Sequence, residues 1–394
     1  LLSGGTNLKG NITQNGGNLI FSGRPTPHAY NHLNQNHAKM EGSTRGEVII
    51  DDDWINRTFT AENFQIQNGQ AVVSRNVSAI NGNWQLSKYA KATFGVTDKQ
   101  ANFICARSDW TGLTKCDNQT LSDKAFRSIE RTKIKGSLSA SSSATLLVQG
   151  LADVVGSVTI SGFSRYHLTH NATQTGMLHV NDRAVATVDN ATLAGDVWLS
   201  DMSTFNLVNT RFTHQIRGKN PKHTSVSLSD NAHWTLPEST RVGNLSLDNS
   251  QITLNPDFTT QKDNQTFNTL EVLGDLDGNG TINYRTYLQG NKGDHVIVRG
   301  KAAGNFVLNV RNTGAEPQNL AQLSLLELNN PAQSDDVNVS LANGSVDAGA
   351  YRYELRNDDF DYRLYNPKKE KELAAQERIA EEKRKAEEAA RLAE

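Results

Sequence analysis

The sequence has no apolar run that approaches the roughly 18 residues needed for a membrane-spanning helix. Its net charge is also small, because 40 Lys and Arg residues stand against 42 Asp and Glu residues. A formal charge of -2 provides no net attraction to nucleic acid or to an anionic membrane. The opening residues LLSGGTNLKG lack the basic and apolar segments of a secretion signal. We therefore expect neither nucleic acid nor an anionic membrane as a partner. We also expect the chain to be part of a longer, processed protein.

Cysteine is scarce, since the chain contains only Cys105 and Cys116. The two lie within ICARSDWTGLTKC, close enough to predict a small disulfide loop. Two free thiols are the alternative, and a metal site is less favoured because neither a CxxC motif nor a nearby His supplies further ligands. A disulfide would indicate an extracytoplasmic location.

Hydrophobic residues make up only 36% of the chain and its mean hydropathy is -0.56, yet strand-forming residues occur throughout. This distribution argues against wholesale disorder. At 394 residues the chain is long for one compact core, so a multidomain or repeat architecture is expected.

Asparagine is abundant, with 40 residues, and many follow short alternating apolar segments. From about residue 176 these segments end in Asx turns, and the steps from 181 to 201, 189 to 209, 209 to 230 and 230 to 248 are 20, 20, 21 and 18 residues. The predicted turn residues are Asn181, Asp189, Asp201, Asn209, Asp230 and Asp248. Such a period, with strands of about four residues and no helical pattern between them, predicts an all-β fold of the parallel β-helix type. Leucine-rich repeats are the rival, but their LxxLxLxxN pattern is missing.

Alternating segments also precede residue 176, so we predict a β-helical stalk over residues 1–266 with projecting loops near 24–45 and 108–131. After about residue 266 the strands lengthen and six of the nine tyrosines follow, which predicts a closing cap over 267–365. Its predicted packing residues are Tyr284, Tyr287, Val296, Val298, Phe306, Leu308, Tyr351, Tyr353 and Tyr362. The sequence of residues 366–394 predicts a charged helical tail, which has too few large apolar side chains to form a buried face.

No pattern for catalysis or metal binding is convincing in this sequence. His28, His32 and His37 have roughly helical spacing, but Pro25 and Pro27 and the lack of nearby carboxylates favour a solvated loop. GDLDGNGTI at 274–282 imitates a calcium loop without its final Glu, so a tight β-turn is predicted there. We accordingly predict no catalytic residue, no metal and no cofactor.

Four segments resemble passenger domains of bacterial autotransporters of the adhesion-and-penetration and IgA-specific serine endopeptidase group. They are GRPTPHAYNH (23–32), ICARSDWTGLTKC (104–116), LDGNGTINYRTYLQGNKGDHVIVRGKAAGN (276–305) and VDAGAYRYELRNDDFDYRLYNPKKE (346–370). The resemblance implies a right-handed β-helical stalk, a folding-promoting autochaperone region in the cap, and a helical linker toward the protein's own outer-membrane β-barrel translocator. It also implies passage through the periplasm and outer membrane to the cell surface or medium. The chymotrypsin-like protease domain of such proteins is absent from this sequence, so enzymatic activity is not carried over.

Three functional hypotheses follow. The first is an adhesin stalk whose polar faces contact host-cell or matrix molecules or a second copy of the chain. The second is a passive spacer for a serine endopeptidase domain. The third, a polysaccharide-active β-helix enzyme, is least favoured, because the candidate carboxylates Asp189, Asp201 and Asp230 are already explained as turn residues.

Overall fold

The structure is a computed structural model that describes residues 2–3, 6–22, 57–73, 77–95, 131–259, 266–315, 317, 322–330 and 336–392. The chain forms two compact units, unit 1 (Leu1–Ser227) and unit 2 (Leu228–Glu394).

Unit 1 is built from short strands. They are β1 (Leu2–Ser3), β2 (Thr6–Asn7), β3 (Asn11–Asn15), β4 (Asn18–Ser22), β5 (Arg57–Gln67), β6 (Gln70–Val73), β7 (Val77–Ser87), β8 (Lys91–Phe94), β9 (Thr132–Lys135), β10 (Leu138–Ala140), β11 (Thr145–Gln149), β12 (Ala152–Val155), β13 (Val158–Ile160), β14 (Arg165–Thr169), β15 (Thr173–Thr175), β16 (Leu178–Val180), β17 (Val185–Asp189), β18 (Thr192–Ala194), β19 (Val197–Ser200), β20 (Thr204–Val208), β21 (Arg211–Phe212), β22 (Ile216–Lys219) and β23 (Ser225–Ser229), which contains the boundary between the units.

These strands stack as parallel sheets. One sheet follows the order β1-β4-β6-β8-β11-β14-β17-β20, and the other follows β18-β15-β12-β9-β7-β10-β13-β16-β19-β22. In the second sheet, β5 pairs with β7 and also with β2 and β3. Every strand pair of unit 1 along these paths is parallel, as in a solenoid whose successive coils lie on one another.

The register confirms the predicted period of about twenty residues. Leu146 pairs with Tyr166, Tyr166 with Ala186, and Ala186 with Phe205, in steps of 20, 20 and 19 residues. Buried and outward residues alternate along the strands, because successive side chains of a strand point to opposite faces. Each coil therefore adds one layer to the apolar interior.

The predicted Asx turns lie at or next to left-handed backbone positions. Asp201, Asn209 and Asp230 have positive φ as expected of turn residues, and their short polar side chains tolerate this conformation. For the other three predicted turns, the positive φ occurs one residue later, at Asp182, Asn190 and Asn249.

Aromatic residues fill the interior near the start of unit 1. Phe64 stacks on its register partner Trp84 with ring centroids 4.4 Å apart, and both side chains are fully buried. Phe21 and Phe94 meet the Trp84 ring edge-on. Such pairs add specific ring geometry to the large apolar area that each ring removes from water.

One corner of unit 1 is a column of glycines, Gly82, Gly136, Gly156, Gly176 and Gly195. A Cβ on Gly136, Gly156 or Gly176 would collide with the carbonyl oxygen of the preceding glycine in the column, and these three residues also have positive φ. Only glycine permits this close backbone approach.

Unit 2 contains longer strands and a terminal helix. Its elements are β24 (His233–Thr235), β25 (Thr240–Val242), β26 (Asn244–Thr253), β27 (Thr269–Val272), β28 (Leu276–Tyr287), β29 (Lys292–Gly293), β30 (His295–Val298), β31 (Ala302–Asn312), β32 (Leu323–Leu328), β33 (Val337–Leu341), β34 (Val346–Ala348), β35 (Tyr351–Asp358), β36 (Asp361–Tyr365) and α1 (Pro367–Leu392).

Unit 2 ends its parallel stacking with antiparallel strands. Strands β24, β26, β28, β31 and β33 are parallel neighbours, as are β25, β27, β30 and β32. Strand β32 then pairs antiparallel with β36. Strand β36 pairs antiparallel with β35, and β35 pairs antiparallel with β34. A hairpin therefore covers the end of this sheet, which protects its edge from further pairing.

The predicted tight turn at 274–282 is wrong. A bend lies at residues 273–274, and residues 276–282 belong to β28. Gly278 has positive φ within this strand, opposite Leu247, and a register shift between Asp248 and Ser250 lies beside it in β26. The glycines therefore mark an irregularity in a long strand and not its end.

The predicted helical tail is confirmed as α1. Its side chains after the first turn are almost all exposed, and Glu381 pairs with Lys385, one helical turn away, at 2.9 Å. Among the described residues, no helix combines the length and the apolar character required to cross a membrane.

Candidate functional surfaces

The predicted cap residues lie in unit 2, and most of them are buried. Tyr284, Val296, Val298, Phe306, Leu308, Tyr353 and Tyr362 are buried, whereas Tyr287 and Tyr351 are half-buried. Their packing agrees with a cap, and the predicted role of this region in promoting folding stays a prediction.

A buried carboxylate connects three segments of unit 2. Asp294 is inaccessible to solvent, and it accepts hydrogen bonds from the backbone N–H of Asn268 at 2.8 Å and of Arg285 at 2.7 Å. The side-chain amide of Asn255 donates to it at 3.3 Å. Burial raises the pKa of Asp294 to about 6, although these hydrogen bonds and the charge of Arg285 partly oppose that rise.

The first turn of α1 is attached to unit 2 by its own side chains. Asn366 caps the helix, accepting from the backbone N–H groups of Lys368 and Lys369 at 3.1 Å. The Lys369 ammonium donates to the carbonyl oxygen of Pro317 at 2.6 Å and lies 4.4 Å from the ring centre of Tyr351. Glu370 pairs with Arg356 at 3.0 Å, so the start of the helix is held on three sides.

Ser324, His295 and Asp361 come together on β32, β30 and β36, but their order differs from that of a hydrolytic triad. The Ser324 hydroxyl donates to Asp361 at 2.6 Å and lies 3.1 Å from Nε2 of His295. In a triad, His accepts the Ser proton and the carboxylate orients the His. Here the carboxylate holds the Ser proton directly, and burial lowers the pKa of His295. The arrangement is that of a structural hydrogen-bond network.

Several predicted features lie outside the described residues. These are the Cys105–Cys116 disulfide, the projecting loops near 24–45 and 108–130, and the candidate ligands His28, His32 and His37. Within the described ranges, no group of three or more His, Cys, Asp or Glu side chains is placed to hold a metal ion.

The second sheet of unit 1 presents a surface that we call the amide face. It consists of the three outward positions on each of five neighbouring strand segments, 11–15, 63–67, 83–87, 137–141 and 157–161. These positions hold Asn11, Thr13, Asn15, Asn63, Gln65, Gln67, Asn83, Gln85, Ser87, Ser137, Ser139, Ser141, Ser157, Thr159 and Ser161. All are uncharged and all carry an amide or a hydroxyl group, although 21% of the chain is Asp, Glu, Lys or Arg.

Hydrogen bonds run along this face from strand to strand. The Asn63 amide donates to Asn11 at 2.8 Å, and the Gln65 amide donates to Gln85 at 3.3 Å. The hydroxyl of Thr13 donates to Gln65 at 3.2 Å. Because each amide has two N–H donors and an oxygen with two lone pairs, these contacts use only part of its capacity.

Two serine hydroxyls of the face bond to the neighbouring strand β7. The Ser139 hydroxyl donates to the carbonyl oxygen of Trp84 at 2.9 Å, and the Ser137 hydroxyl donates to the Asn83 side chain at 2.9 Å. A shallow depression of about 340 Å³ lies among these groups, lined by Gln65, Gln67, Gln85, Leu86, Ser87, Ser139 and Ser141.

This face was not among the predicted features, although the sequence contains a signal for it. Amide and hydroxyl residues recur at alternate positions in NITQN, NFQIQ, NWQLS, SLSAS and SVTIS. The predicted strands indicated that these residues point outward, but the long insertions between them hid which segments would be neighbours.

Comparisons with known proteins extend this picture. Residues 1–168 match the family model "PIC/HAP1/IgA0 second beta-solenoid repeat region", and residues 242–366 match the model "Pertactin". An adhesion and penetration protein autotransporter of Haemophilus influenzae is 49% identical over 391 residues, which cover 94% of this chain and 28% of that protein. An immunoglobulin A1 protease autotransporter of the same organism is 34% identical over 94% of this chain. The chain belongs to the passenger β-solenoids of this autotransporter family.

An IgA-specific serine endopeptidase autotransporter of Neisseria gonorrhoeae is a further relative of this passenger chain, at 33% identity over 93% of the chain and 20% of the relative. The passenger chain thus spans between about a fifth and 28% of the length of these curated relatives. The crystal structure of the Haemophilus influenzae Hap adhesin superposes with a TM-score of 0.78 and 49% identity, covering 93% of this chain and 39% of the other. The predicted family, the all-β solenoid and the surface or secreted localisation are confirmed.

Proposed function

We propose that this passenger region is a non-catalytic stalk and adhesive surface, which displays the protein at the cell surface and contacts host-cell or extracellular-matrix molecules. The observation that carries the proposal is the 49% identity, over 94% of the chain, to a protein named for adhesion and penetration. The amide face supports it, because it is a broad polar surface with unused hydrogen-bonding capacity on a regular scaffold.

A second copy of the chain is the other partner in this proposal. Parallel columns of amides and hydroxyls complement themselves, since each group both donates and accepts. Self-association through such columns would join neighbouring cells that display the chain.

We propose that residues 267–365 act as a folding cap for the preceding coils. The buried aromatic residues of this region and the hairpin over the edge at β32 support the proposal, because that edge is finished within the region itself. On the opposite side, β27 and β28 offer main-chain partners to β25 and β26 of the preceding coil. If the proposal is correct, a chain that lacks residues 267–365 fails to refold after dilution from urea. Cooperative refolding of that shortened chain would contradict it.

The alternative function is a passive spacer for a serine endopeptidase domain elsewhere in the parent protein. The names of the IgA protease relatives favour this alternative. In both cases the region itself has no catalytic role, and the direct Ser324–Asp361 hydrogen bond supports that view because it leaves the hydroxyl without a His base in triad order.

The test compares binding and self-association of the chain of residues 1–394. The chain is coupled to fluorescent beads, and bead retention is measured on epithelial monolayers and on surfaces coated with matrix proteins. Sedimentation velocity over a wide concentration range reports self-association. Retention above that of uncoupled beads, or reversible growth of dimers and larger species, supports the adhesive stalk. An unretained chain that stays monomeric throughout would leave the spacer as the function.

A further inference from the structure

The amide face continues along its central column to an exposed tryptophan. Strand register places Gln85 beside Ser139, Ser139 beside Thr159, and Thr159 beside His179. His179 in turn lies beside Trp198, a residue that is 36% exposed although most large apolar side chains of unit 1 are buried. The column therefore joins polar hydrogen-bonding groups to one accessible aromatic surface.

We propose that this column binds a neutral, extended oligosaccharide of the β-1,4-linked type, lying across the strands from Gln65 to Trp198. The inference deepens the proposed adhesive function, on which it rests, by assigning the chemical class of one ligand.

The hydrogen-bonding groups of the column match a polyhydroxyl ligand. Within the described residues, the Nε2 group of Gln85 donates to no protein acceptor, so its N–H groups are available to sugar oxygens. The Ser139 hydroxyl gives its proton to the carbonyl oxygen of Trp84, so its remaining lone pairs can accept from sugar hydroxyls. Gln85 thus offers donors and Ser139 offers acceptors on two neighbouring strands, and a hydroxylated ring can use both.

The lack of charge selects against other ligands. A sulfated, phosphorylated or uronic acid chain would lose water from its anionic groups without meeting a cation on the amide face, and burial of an unpaired charge is costly. A protein partner would require the buried aromatic or arginine contacts that usually dominate such interfaces. The five segments of the amide face offer no outward aromatic or arginine side chain, and Trp198 and its register partner Arg217 lie only at one end of the column. Because such anchors usually cluster near the centre of a protein interface, a neutral glycan is the better match.

The geometry of the column also suits a ribbon-like ligand. Adjacent strands are about 4.8 Å apart, so the six strands from Gln65 to Trp198 span about 24 Å. One strand spacing is close to the length of one β-linked pyranose unit, and a hexasaccharide would cover the column. The depression beside Gln85 and Ser139 would receive one ring, and the Trp198 indole would stack on the apolar face of another.

The test uses the chain of residues 1–394 with chitohexaose and cellohexaose as neutral probes and a heparin hexasaccharide as the anionic probe. Binding is measured by isothermal titration calorimetry, with tryptophan emission as a second readout. Two variants alter the column, Trp198→Ala and Gln85→Glu. Gln70→Glu is the matched control, because Gln70 is an exposed glutamine that lies on β6 in the other sheet of unit 1.

The expected result is binding of at least one neutral hexasaccharide, a loss of affinity of tenfold or more in Trp198→Ala and in Gln85→Glu, and unchanged affinity in Gln70→Glu. Heparin hexasaccharide should not bind. If Trp198→Ala fails to fold by circular dichroism, Gln85→Glu still tests the column, because it preserves the size of the side chain.

Two outcomes would overturn the inference. One is the absence of binding to both neutral probes at millimolar concentration, or equal binding by the chain and both column variants. The other is a change in sedimentation but not in glycan affinity, which would assign the face to contacts between copies. Bead retention on cells is measured in parallel, so retention without glycan binding would reject this inference and leave the proposed adhesive function intact.

Discussion

Both units place polar side chains next to one another on adjacent strands, but they avoid repulsion between like charges in different ways. In unit 1 the amide face removes charge, and its side chains bond to one another along the column. In unit 2, Glu271 pairs with its register partner Arg241 at 2.6 Å and with Arg299, which directly follows β30, at 2.8 Å, so charges of opposite sign are neighbours. Like charges on adjacent strands would be destabilising, and both arrangements avoid them. The difference leaves the outward groups of unit 1 available to a ligand, whereas those around Glu271 already satisfy one another.

The buried polar residues of the units differ in the same way. In the described part of unit 1 they are all uncharged, as Gln149, Gln174 and Thr210 illustrate. Unit 2 buries Arg285 and Asp294. The regular coils of unit 1 therefore favour uncharged side chains at buried polar positions. The less regular strands of unit 2 allow charged side chains to be buried with specific partners.

The largest expected effect tests the close stacking of unit 1. Gly156→Val should destabilise unit 1 by about 3–5 kcal/mol, because the new Cβ would meet the carbonyl oxygen of Gly136 and the residue has positive φ. Gly10→Ala is the control, since Gly10 has φ of +117° but nothing within 4 Å of an added Cβ, and it should cost only about 1 kcal/mol. Urea unfolding measures both. Equal losses would show that backbone conformation, and not close stacking, requires the glycine column.

The second prediction concerns pH and should affect unit 2 alone. Because burial raises the pKa of Asp294 from 3.8 to about 6, the folded state binds the proton more tightly than the unfolded state. The unfolding free energy of unit 2 should therefore fall by about 3 kcal/mol as the pH rises from below 4 to above 6. Asp294→Asn should remove this dependence.

Pulse proteolysis in urea at several pH values measures the difference in unfolding free energy between the original chain and Asp294→Asn. Mass spectrometry of peptides from residues 266–298 reports on unit 2. A difference that stays constant between pH 4 and pH 7 would contradict the assigned titration. Peptides from residues 131–200 serve as the internal control, because the buried polar residues there are uncharged.

A smaller effect is expected at the neighbouring opposite charges of unit 2. Glu271→Gln should cost about 1 kcal/mol at low salt, because its carboxylate is mostly buried but both arginines are substantially exposed. In 1 M NaCl the loss should shrink, since salt screens the pairs. Urea unfolding at the two salt concentrations checks this, and a loss independent of salt would indicate a packing effect instead.

The smallest effect is expected on the amide face. Gln65→Ala should cost about 0.5 kcal/mol, because the lost hydrogen bonds to Thr13 and Gln85 are replaced by bonds to water. The loss should be the same at low and high salt, unlike that of Glu271→Gln. A strong salt dependence here would contradict the contrast between the two units.

Much of the fold could be predicted from local pattern. The steps from Asn181 to Asp201 and from Asn209 to Asp230 indicated the coil period, because an Asx turn is a local structure that each repeat carries in its own sequence. The tail helix was equally local. By contrast, Asp277 and Gly278 looked like a turn by themselves, and they lie in a strand because β26 and β31 provide hydrogen-bond partners on both sides.

The side-chain contacts within unit 2 were less predictable. Neither the position of Asp294 between Asn268 and Arg285 nor the contact of Lys369 with Tyr351 has a local signature, because the partners lie between 9 and 26 residues away. The predicted cap residues were recognisable because large aromatic side chains in strands tend to be buried. The sequence did not indicate which of them would be only half-buried. Tyr351 is half-buried, and its ring lies 4.4 Å from the Lys369 ammonium in the first turn of α1.

The sequence by itself determined the coil period, the alternation of buried and outward residues, and the charged terminal helix, since each follows from spacing within a short segment. Only the tertiary structure decided that Gln65, Gln85 and Ser139 form one uncharged column, although more than fifty residues separate Gln85 from Ser139. Strand register is chosen by the packing of whole coils, and a shift of one residue would turn every one of these side chains inward.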